Sequence, residues 1–313
     1  MPRSDLLRLA GALLVTAALL AALSPFIDLE RLKTILTGAS GPWLALTVAC
    51  YVAQQLVRAA RTRTLLGGGV PLLRLTSIHL VQSPINASLP MGAAEAVLVL
   101  LLRKLRVSAV HPAAAAVFVA RALDLALFVV LLATIVAVGR ELVPPAVNGF
   151  LVTMLLLAGF GGGLFIGIVR WRLRHPELGT ATTAIMRHVD AFIAALRGID
   201  SATARRALAF TVVIWLLLYL TFLCTVRALG LGLSPLELLW IFVIPTELLP
   251  VKGVANIGTF EAAWFVVLTF LGYDGEVAMA IAIGCHLVTI AMQFIGAGIG
   301  ALVLSARARG ASP

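Results

Sequence analysis

Charged side chains are scarce in this sequence, at 12% of its 313 residues, about half the share found in an ordinary globular domain. Hydrophobic residues make up 61%, and the mean hydropathy is +1.06. The longest polar stretch, about 170–206, is too short for an independent fold. The sequence therefore leaves little room for a soluble catalytic domain, and we expect a single, all-α integral membrane domain over residues 1–313.

Cysteine is rare as well, and motifs for catalysis are missing from the sequence. Cys50, Cys224 and Cys285 each lie within an apolar stretch, which is typical of small buried side chains and not of disulfides or metal ligands. We find no His/Asp/Glu metal spacing, no Ser/His/Asp constellation and no nucleotide-binding motif. We therefore expect no enzyme, no metal and no cofactor.

The net charge of +10 is explained by the positions of the basic residues relative to the membrane. The basic residues sit at the ends of apolar segments, where they set topology and contact anionic lipid headgroups. We therefore expect membrane lipids as partners and no nucleic acid.

Six apolar segments are long enough to cross a bilayer, which takes about 20 residues. They cover about 5–27, 42–66, 112–138, 146–169, 207–229 and 277–303. The first lacks a clear cleavage site, and we interpret it as a retained helix. Four further apolar runs are too short to cross, at about 74–89, 93–103, 236–249 and 259–271.

The four short runs form two pairs with the same layout. Each pair follows a proline, Pro71 or Pro235, and is broken by another, Pro90 or Pro250. Paired, interrupted segments at corresponding places in two halves point to a transporter's binding site. We therefore predict two re-entrant hairpins within two inverted repeats. Alternatively, each hairpin crosses the membrane fully. The repeats would cover about 5–138 and 146–303.

The positive-inside rule orients this layout. With the N-terminus in the cytoplasm, 18 of the 24 Lys and Arg residues fall inside. Arg74 and Arg103 flank the first hairpin, which therefore opens inward, whereas Asp274 and Glu276 lie beside the second, which opens outward. We expect a multi-pass protein of the cytoplasmic (inner) membrane with both termini in the cytoplasm.

The cytoplasmic stretch 170–206 contains one patterned piece. Its apolar residues recur at helical spacing and predict an amphipathic helix. They are Ile185, Val189, Phe192, Ile193 and Leu196. This helix either lies on the inner leaflet or packs on the protein's own cytoplasmic face. Glycine-rich runs at 159–163 and 296–300 are expected to allow close helix packing and do not resemble phosphate loops.

Arg121 and Asp124 are charges inside a spanning segment. Such charges cost about 2.5–3.5 kcal/mol each on insertion scales and call for a reason. Arg121 lies about 13 Å into its segment at 1.5 Å per residue, and Asp124 shares its helix face. They form either a structural ion pair that locks two helices, or a cation presented to a lipid phosphate with Asp124 orienting it.

Polar residues also gather around the two elbows. Glu95 and Glu261 fall in the first turn of a short helix, where the helix dipole favours a carboxylate. Each either caps its helix or binds substrate. Lys252 and the N-terminus of the second short helix would form an anion site, and Thr259 is expected to be the N-cap of that helix. The other candidates for substrate binding are Asn86, Asn256, Glu247 and Arg58.

For two more sets of residues, the simplest interpretation is a structural role. Arg58, Arg61 and Arg63 end the second segment at the inner interface and are typical of topological anchors, with Arg58 the one deep enough to reach a headgroup. We expect His79 and His286 to be satisfied polar residues in helix interfaces. Alternatively, they belong to a proton relay.

The motifs around these residues resemble a known family. The run Asn86-x-x-Leu89-Pro90-x-Gly92-x-x-Glu95, the pair Arg121-x-x-Asp124 and the stretch from Gly253 to Gly258-Thr259-Phe260-Glu261 resemble the lysylphosphatidylglycerol synthase/flippase transmembrane family, over about residues 5–305. The resemblance implies a domain that moves aminoacylated phosphatidylglycerol from the inner to the outer leaflet. Relatives are implicated in handling polyprenyl- or hopanoid-linked lipids. The aminoacyl-transferase domain of the bifunctional members has no counterpart in this sequence, so no synthase activity is carried over.

Three functions remain open at this point. The leading hypothesis is a flippase that moves a phosphate-bearing lipid between leaflets. Arg121 and Lys252 would hold the phosphate, while Glu261, Glu247, Glu95 or Asp124 would hold an amine or sugar hydroxyls or exchange protons. The alternatives are a secondary transporter of a small anionic solute, and a non-transporting partner that presents lipid to a separate synthase or glycosyltransferase docked on the 170–206 stretch.

Overall fold

The structure is a computed structural model that describes residues 17–19, 21–89, 93–138, 184–243 and 256–310, together with seven single positions between 149 and 167. The elements in these residues are helical, with no strand among them. A 3-10 turn, Ser24–Phe26, comes first. The α-helices that follow are α1 (Leu29–Thr37), α2 (Gly41–Leu65), α3 (Leu72–Ser88), α4 (Ala93–Lys104), α5 (Val110–Val138), α6 (Ala184–Arg197), α7 (Ser201–Ala228), α8 (Pro235–Val243), α9 (Thr259–Phe270) and α10 (Gly275–Gly310).

Three of these helices, α5, α7 and α10, are long and apolar enough to cross a membrane. Helix α2 joins α1 across a bend of 85°, and the two together would make a fourth span. Three of the six predicted segments are thus confirmed as helices of spanning length, and 42–66 is a fourth candidate only together with α1. The other two, 5–27 and 146–169, lie largely outside the described residues. The chain is therefore a multi-pass membrane protein.

The four short apolar runs are helices as well. Helices α3, α4, α8 and α9 contain 17, 12, 9 and 12 residues, fewer than the roughly 20 needed to cross. The first two contact each other, because the Gln82 Nε2 amide lies 3.5 Å from the carbonyl oxygen of Ala94. The elbows, 90–92 and 244–255, lie outside the described residues. The re-entrant course of each hairpin stays a prediction.

By its contacts the chain divides into two compact units. Unit 1 combines Met1–Leu56, Thr76–Glu95 and Trp215–Pro313, and unit 2 combines Val57–Leu75 and Ala96–Ile214. Each unit therefore draws residues from both halves of the chain. The inverted repeats, which divide the chain differently, stay a prediction.

In unit 1, helix α10 packs against α9, α1 and the 3-10 turn. Two glycines of α10 allow α3 to come close. A Cβ at Gly300 would lie 2.7 Å from the Ser77 carbonyl oxygen and 3.0 Å from the Leu80 Cβ, and one at Gly296 would lie 3.0 Å from the Leu80 side chain. The packing role predicted for this glycine run is thus confirmed at two positions. In the other run, a Cβ at Gly159 or Gly163 would meet no atom of the described residues within 4 Å.

We expect Gly300→Ala to destabilise the protein by about 1–3 kcal/mol, the usual cost of overpacking a tight contact. The added methyl group meets backbone at Ser77, which moves less readily than a side-chain tip. The matched control is Gly298→Ala in the same helix, where the new Cβ meets nothing within 4 Å. Thermal unfolding in detergent measures both. Equal melting temperatures for the two variants would contradict the packing account.

In unit 2, the predicted amphipathic helix is α6, and it packs against α5. The rings of Phe192 and Phe118 meet edge to face, with centroids 5.7 Å apart. This contact supports packing on the protein's own face over the alternative of lying on the leaflet. After α6, the N–H of Thr203 donates to Asp200 Oδ1 at 2.7 Å, and this cap explains why α7 begins at Ser201. The same hydrogen bond lowers the pKa of Asp200.

Candidate functional site

Unit 2 holds a buried charge cluster, which we call the arginine cluster: Arg61, Arg121, Asp124 and Thr211. Arg61 on α2 binds Asp124 on α5 through two hydrogen bonds, Nη1 to Oδ1 at 2.6 Å and Nη2 to Oδ2 at 3.2 Å. Its Nη1 also donates to the Thr211 hydroxyl on α7 at 2.9 Å. The planar guanidinium fork matches a carboxylate in this two-bond geometry. The cluster therefore ties three long helices together.

Arg61 is the member that the sequence interpretation missed. As one of three arginines near the end of a helix, it is predicted from the sequence to be a topological anchor at the membrane interface. In the structure it is only 8% exposed and contacts residues on two other helices. That assignment was wrong because position along one helix says nothing about a partner 63 residues away. The only hint was an acidic residue inside an apolar segment, which needs a cation from somewhere.

Arg121 is the more exposed cation of the cluster. Its Nη1 lies 3.8 Å from Asp124 Oδ2, so the predicted pair is present. Yet Asp124 is held more closely by Arg61. The Arg121 side chain is 40% exposed, compared with 9% for Arg61. Two guanidinium groups thus face the Asp124 carboxylate, one from α2 and one from α5.

On α5 and α7 the cluster lies well inside the helix, whereas Arg61 is four residues from the end of α2. At 1.5 Å per residue, Arg121 is about 16 Å from the start of α5 and Thr211 about 15 Å from the start of α7. The hydrocarbon core of a bilayer is about 30 Å thick. Arg121 thus lies near the middle of the spanning helix α5.

Unit 1 holds a second buried polar site, the pair of Glu261 on α9 and His286 on α10. Glu261 Oε1 and His286 Nδ1 are 2.6 Å apart, and the side chains are 8% and 5% exposed. The Gly258 N–H donates to Glu261 Oε2 at 2.7 Å. Glu261 therefore caps its own helix and binds His286 as well. The expectation that His286 is a satisfied polar residue in a helix interface is confirmed.

The N-cap of α9 was predicted at the wrong residue. Thr259 is the first helical residue, and Gly258 is the N-cap, with φ of +82°. Glycine adopts this left-handed conformation without the steric cost that a Cβ imposes. The carboxylate three positions later accepts a hydrogen bond from the Gly258 N–H, which is the half of a capping box that needs no N-cap side chain.

One face of His286 is covered by aromatic rings. Phe260 stacks on it at 4.4 Å between centroids, and Trp264 stacks on Phe260 at 5.2 Å. The pair also borders a cavity of about 220 Å³. Its other lining residues are aliphatic: Leu23, Ile27, Ile257, Met279, Ile283, Leu287 and Ile290.

Comparison with known proteins identifies the family. The model of the lysylphosphatidylglycerol synthase TM region matches residues 9–297. The chain belongs to this family. No curated protein and no solved structure matches it.

Membership in the lysylphosphatidylglycerol synthase TM family agrees with the multi-pass fold and suggests a lipid-related transporter or flippase domain. It gives no substrate. Among the described residues no group of three His, Cys, Asp or Glu side chains could hold a metal ion.

The structure distributes the remaining candidates of this family member over both units. Glu95 lies half-buried in the first turn of α4, and Asn86 lies half-buried in α3, both in unit 1. Asn256, just before α9, has φ of +64°, and its Oδ1 is buried. Arg58, in unit 2, is half-buried in α2. Lys252 and Glu247 lie outside the described residues.

Proposed function

We propose that the protein moves a phosphate-bearing lipid between the leaflets of the cytoplasmic membrane. The observation that carries this proposal is the guanidinium of Arg121 at mid-helix depth on α5, with a side chain that is 40% exposed. An aminoacylated phospholipid and a polyprenyl- or hopanoid-linked lipid both present a phosphate of the required charge. Family membership supports a lipid-related role.

The charges of the cluster divide into a scaffold and a binding group. Arg61 satisfies both oxygens of Asp124 and is itself buried, so this pair holds the three helices in place. Arg121 is farther from the carboxylate and more exposed, so its guanidinium can donate to another acceptor. Arginine binds phosphate with two parallel hydrogen bonds, which are about twice as strong as neutral ones.

The rest of the mechanism belongs to the same proposal. The protein acts as a transporter and not as an enzyme, with both termini in the cytoplasm and two re-entrant hairpins in inverted repeats. A separate synthase or glycosyltransferase supplies the lipid. Lys252 is a further candidate for the phosphate, and Arg58 for a lipid headgroup. The lipid's amine or hydroxyl groups bind to polar residues near the elbows, for which the candidates are Glu95, Asn86, Asn256, Thr259, Glu261 and Glu247.

Leaflet exchange in liposomes tests the proposal. Purified protein is reconstituted with labelled phosphatidylglycerol, lysyl-phosphatidylglycerol, a polyprenyl-phosphate sugar, and a phosphate-free glucosyl diacylglycerol with the same acyl chains. We expect at least one phosphate-bearing lipid to exchange about tenfold faster than the glycolipid, or more, because a charge-assisted hydrogen bond contributes about 1.5–3 kcal/mol.

Other outcomes of this experiment would contradict the proposed function or favour a different one. Equal rates for the glycolipid and all phosphate lipids would contradict recognition of the phosphate. Uptake of glycerol phosphate without any lipid exchange would establish a solute transporter. A folded protein that transports none of these compounds would favour a partner that presents lipid to another enzyme.

A further inference from the structure

The Glu261–His286 pair lies deep within two neighbouring helices, where an ionisable group is costly in a membrane. Glu261 is about 13 Å from the end of α9, and His286 is about 16 Å from the start of α10, at 1.5 Å per residue. The two helices are neighbours in sequence and pack against each other. If their connecting turn is at the membrane surface, the pair is about halfway through a 30 Å core. Ionisable residues at this depth mark ion pathways and proton relays.

The chemistry of the pair suits a proton. Both carboxylate oxygens of Glu261 are engaged, one by His286 Nδ1 and the other by the Gly258 N–H. With a neutral imidazole the pair carries a charge of −1, and with one more proton it is neutral overall. Such a site gains or loses one proton without needing a second counter-ion. The dipole at the N-terminus of α9 stabilises the state of the pair that carries the charge of −1.

The helices packed around the pair carry few other titratable groups, and Asp28, which precedes α1, accepts a hydrogen bond from the Arg31 N–H. Among the described residues, the cavity wall around the pair is otherwise aliphatic. On the packed helix α1, Glu30 and Lys33 are 88% and 71% exposed and lie 4.0 Å from each other. On α8, Glu237 accepts hydrogen bonds from the Ser234 N–H and the Tyr273 hydroxyl. The remaining titratable groups on these helices are Arg31 on α1, and Cys285, Glu276, Arg307 and Arg309 on α10.

We propose that the Glu261–His286 pair is a proton-binding site, and that binding and release of one proton drives lipid movement. This inference rests on the proposed function and identifies proton movement as the energy source for lipid transport. The proton also changes the contact between α9 and α10. An imidazolium forms an ion pair with Glu261 and a cation–π contact with the stacked Phe260 ring, whereas a neutral imidazole forms only a hydrogen bond. Proton loss therefore loosens the short helix α9 from the spanning helix α10.

A pH gradient across the liposome membrane tests the inference. With one pH unit across the membrane, wild-type protein should concentrate the phosphate-bearing lipid in one leaflet, by up to about tenfold for one proton per lipid. A protonophore should abolish this asymmetry. Glu261→Gln should lose the response to the gradient, because glutamine keeps the shape of glutamate but cannot exchange a proton with His286.

The possible failures are distinguishable. Wild-type exchange that is insensitive to the gradient would overturn the proton inference and leave the flippase proposal standing. The absence of lipid exchange with or without a gradient would overturn the flippase proposal itself.

A second measurement reports on the site directly and does not depend on the stability of a variant. The chain has five histidines, and ¹⁵N-histidine NMR follows each ring in wild-type protein, with His286→Asn assigning one signal. We expect the His286 ring signal to respond to pH, because the proposed site binds and releases a proton. A single protonation state from pH 4 to 9 would contradict the inference even if transport depended on pH for another reason.

Discussion

Asp124→Leu is expected to lower the free energy of unfolding by about 3–5 kcal/mol, the usual cost of removing one partner from a buried ion pair. The substitution leaves Arg61 buried at 8% exposure, with Thr211 as its only hydrogen-bond partner among those described. It also removes the carboxylate that lies beside Arg121. Thermal unfolding in detergent should show a drop on the order of 10 °C.

The double variant Arg61→Leu/Asp124→Leu is the control for this prediction. Replacing both partners of a buried pair by apolar residues is often neutral or stabilising. We therefore expect the double variant to recover most of the lost melting temperature. A double variant less stable than Asp124→Leu alone would show that the pair contributes more than mutual neutralisation. A negligible effect of Asp124→Leu would contradict the scaffold role assigned to the pair.

His286→Leu is expected to have the second-largest effect, about 2–4 kcal/mol. Leucine removes the Nδ1 partner of Glu261 and leaves a carboxylate that is 8% exposed with one N–H donor, and a buried charge that loses a partner is strongly destabilised. The stacked contact with Phe260 is lost as well. Chemical or thermal unfolding in detergent measures the change.

Glu261→Gln is the matched comparison for His286→Leu. The amide oxygen can still accept from the Gly258 N–H, and no buried charge remains without a partner. We expect a loss of less than about 1.5 kcal/mol. If the two residues interact as the 2.6 Å distance indicates, a double-mutant cycle with the combined variant shows strong non-additivity. Additive effects would contradict a direct interaction in the folded protein.

The long helices were predictable because length and apolarity are local properties of the sequence. The segment 112–138 became α5, and 277–303 became α10, which is longer than predicted at both ends. Its extra residues include Glu276 at the first turn and Arg307 near the end, and these were left out because charges end an apolar window. The helix continues through them because the surface end of a membrane helix tolerates charge.

The polar sites were predictable only in part. Arg121, Asp124 and Glu261 stood out because each is a charge inside or beside an apolar run. The sequence also draws attention to Arg61 and His286, but not as the partners of these charges, because the interactions join residues 63 and 25 positions apart. The depth of a charge can be estimated from helix rise, whereas its partner depends on how helices pack. Packing is set by many weak contacts that a single sequence does not display.

The most direct test of the central claim is the rate of lipid exchange by Arg121→Gln, compared with Arg227→Gln. Both changes remove an arginine from a long apolar helix, but Arg227 is exposed in the last turn of α7. For a phosphate-bearing lipid, we expect Arg121→Gln to lose about tenfold or more of the wild-type rate and Arg227→Gln to keep it within about twofold. A folded Arg121→Gln variant that exchanges the lipid at the wild-type rate would contradict the claim that this cation binds the phosphate.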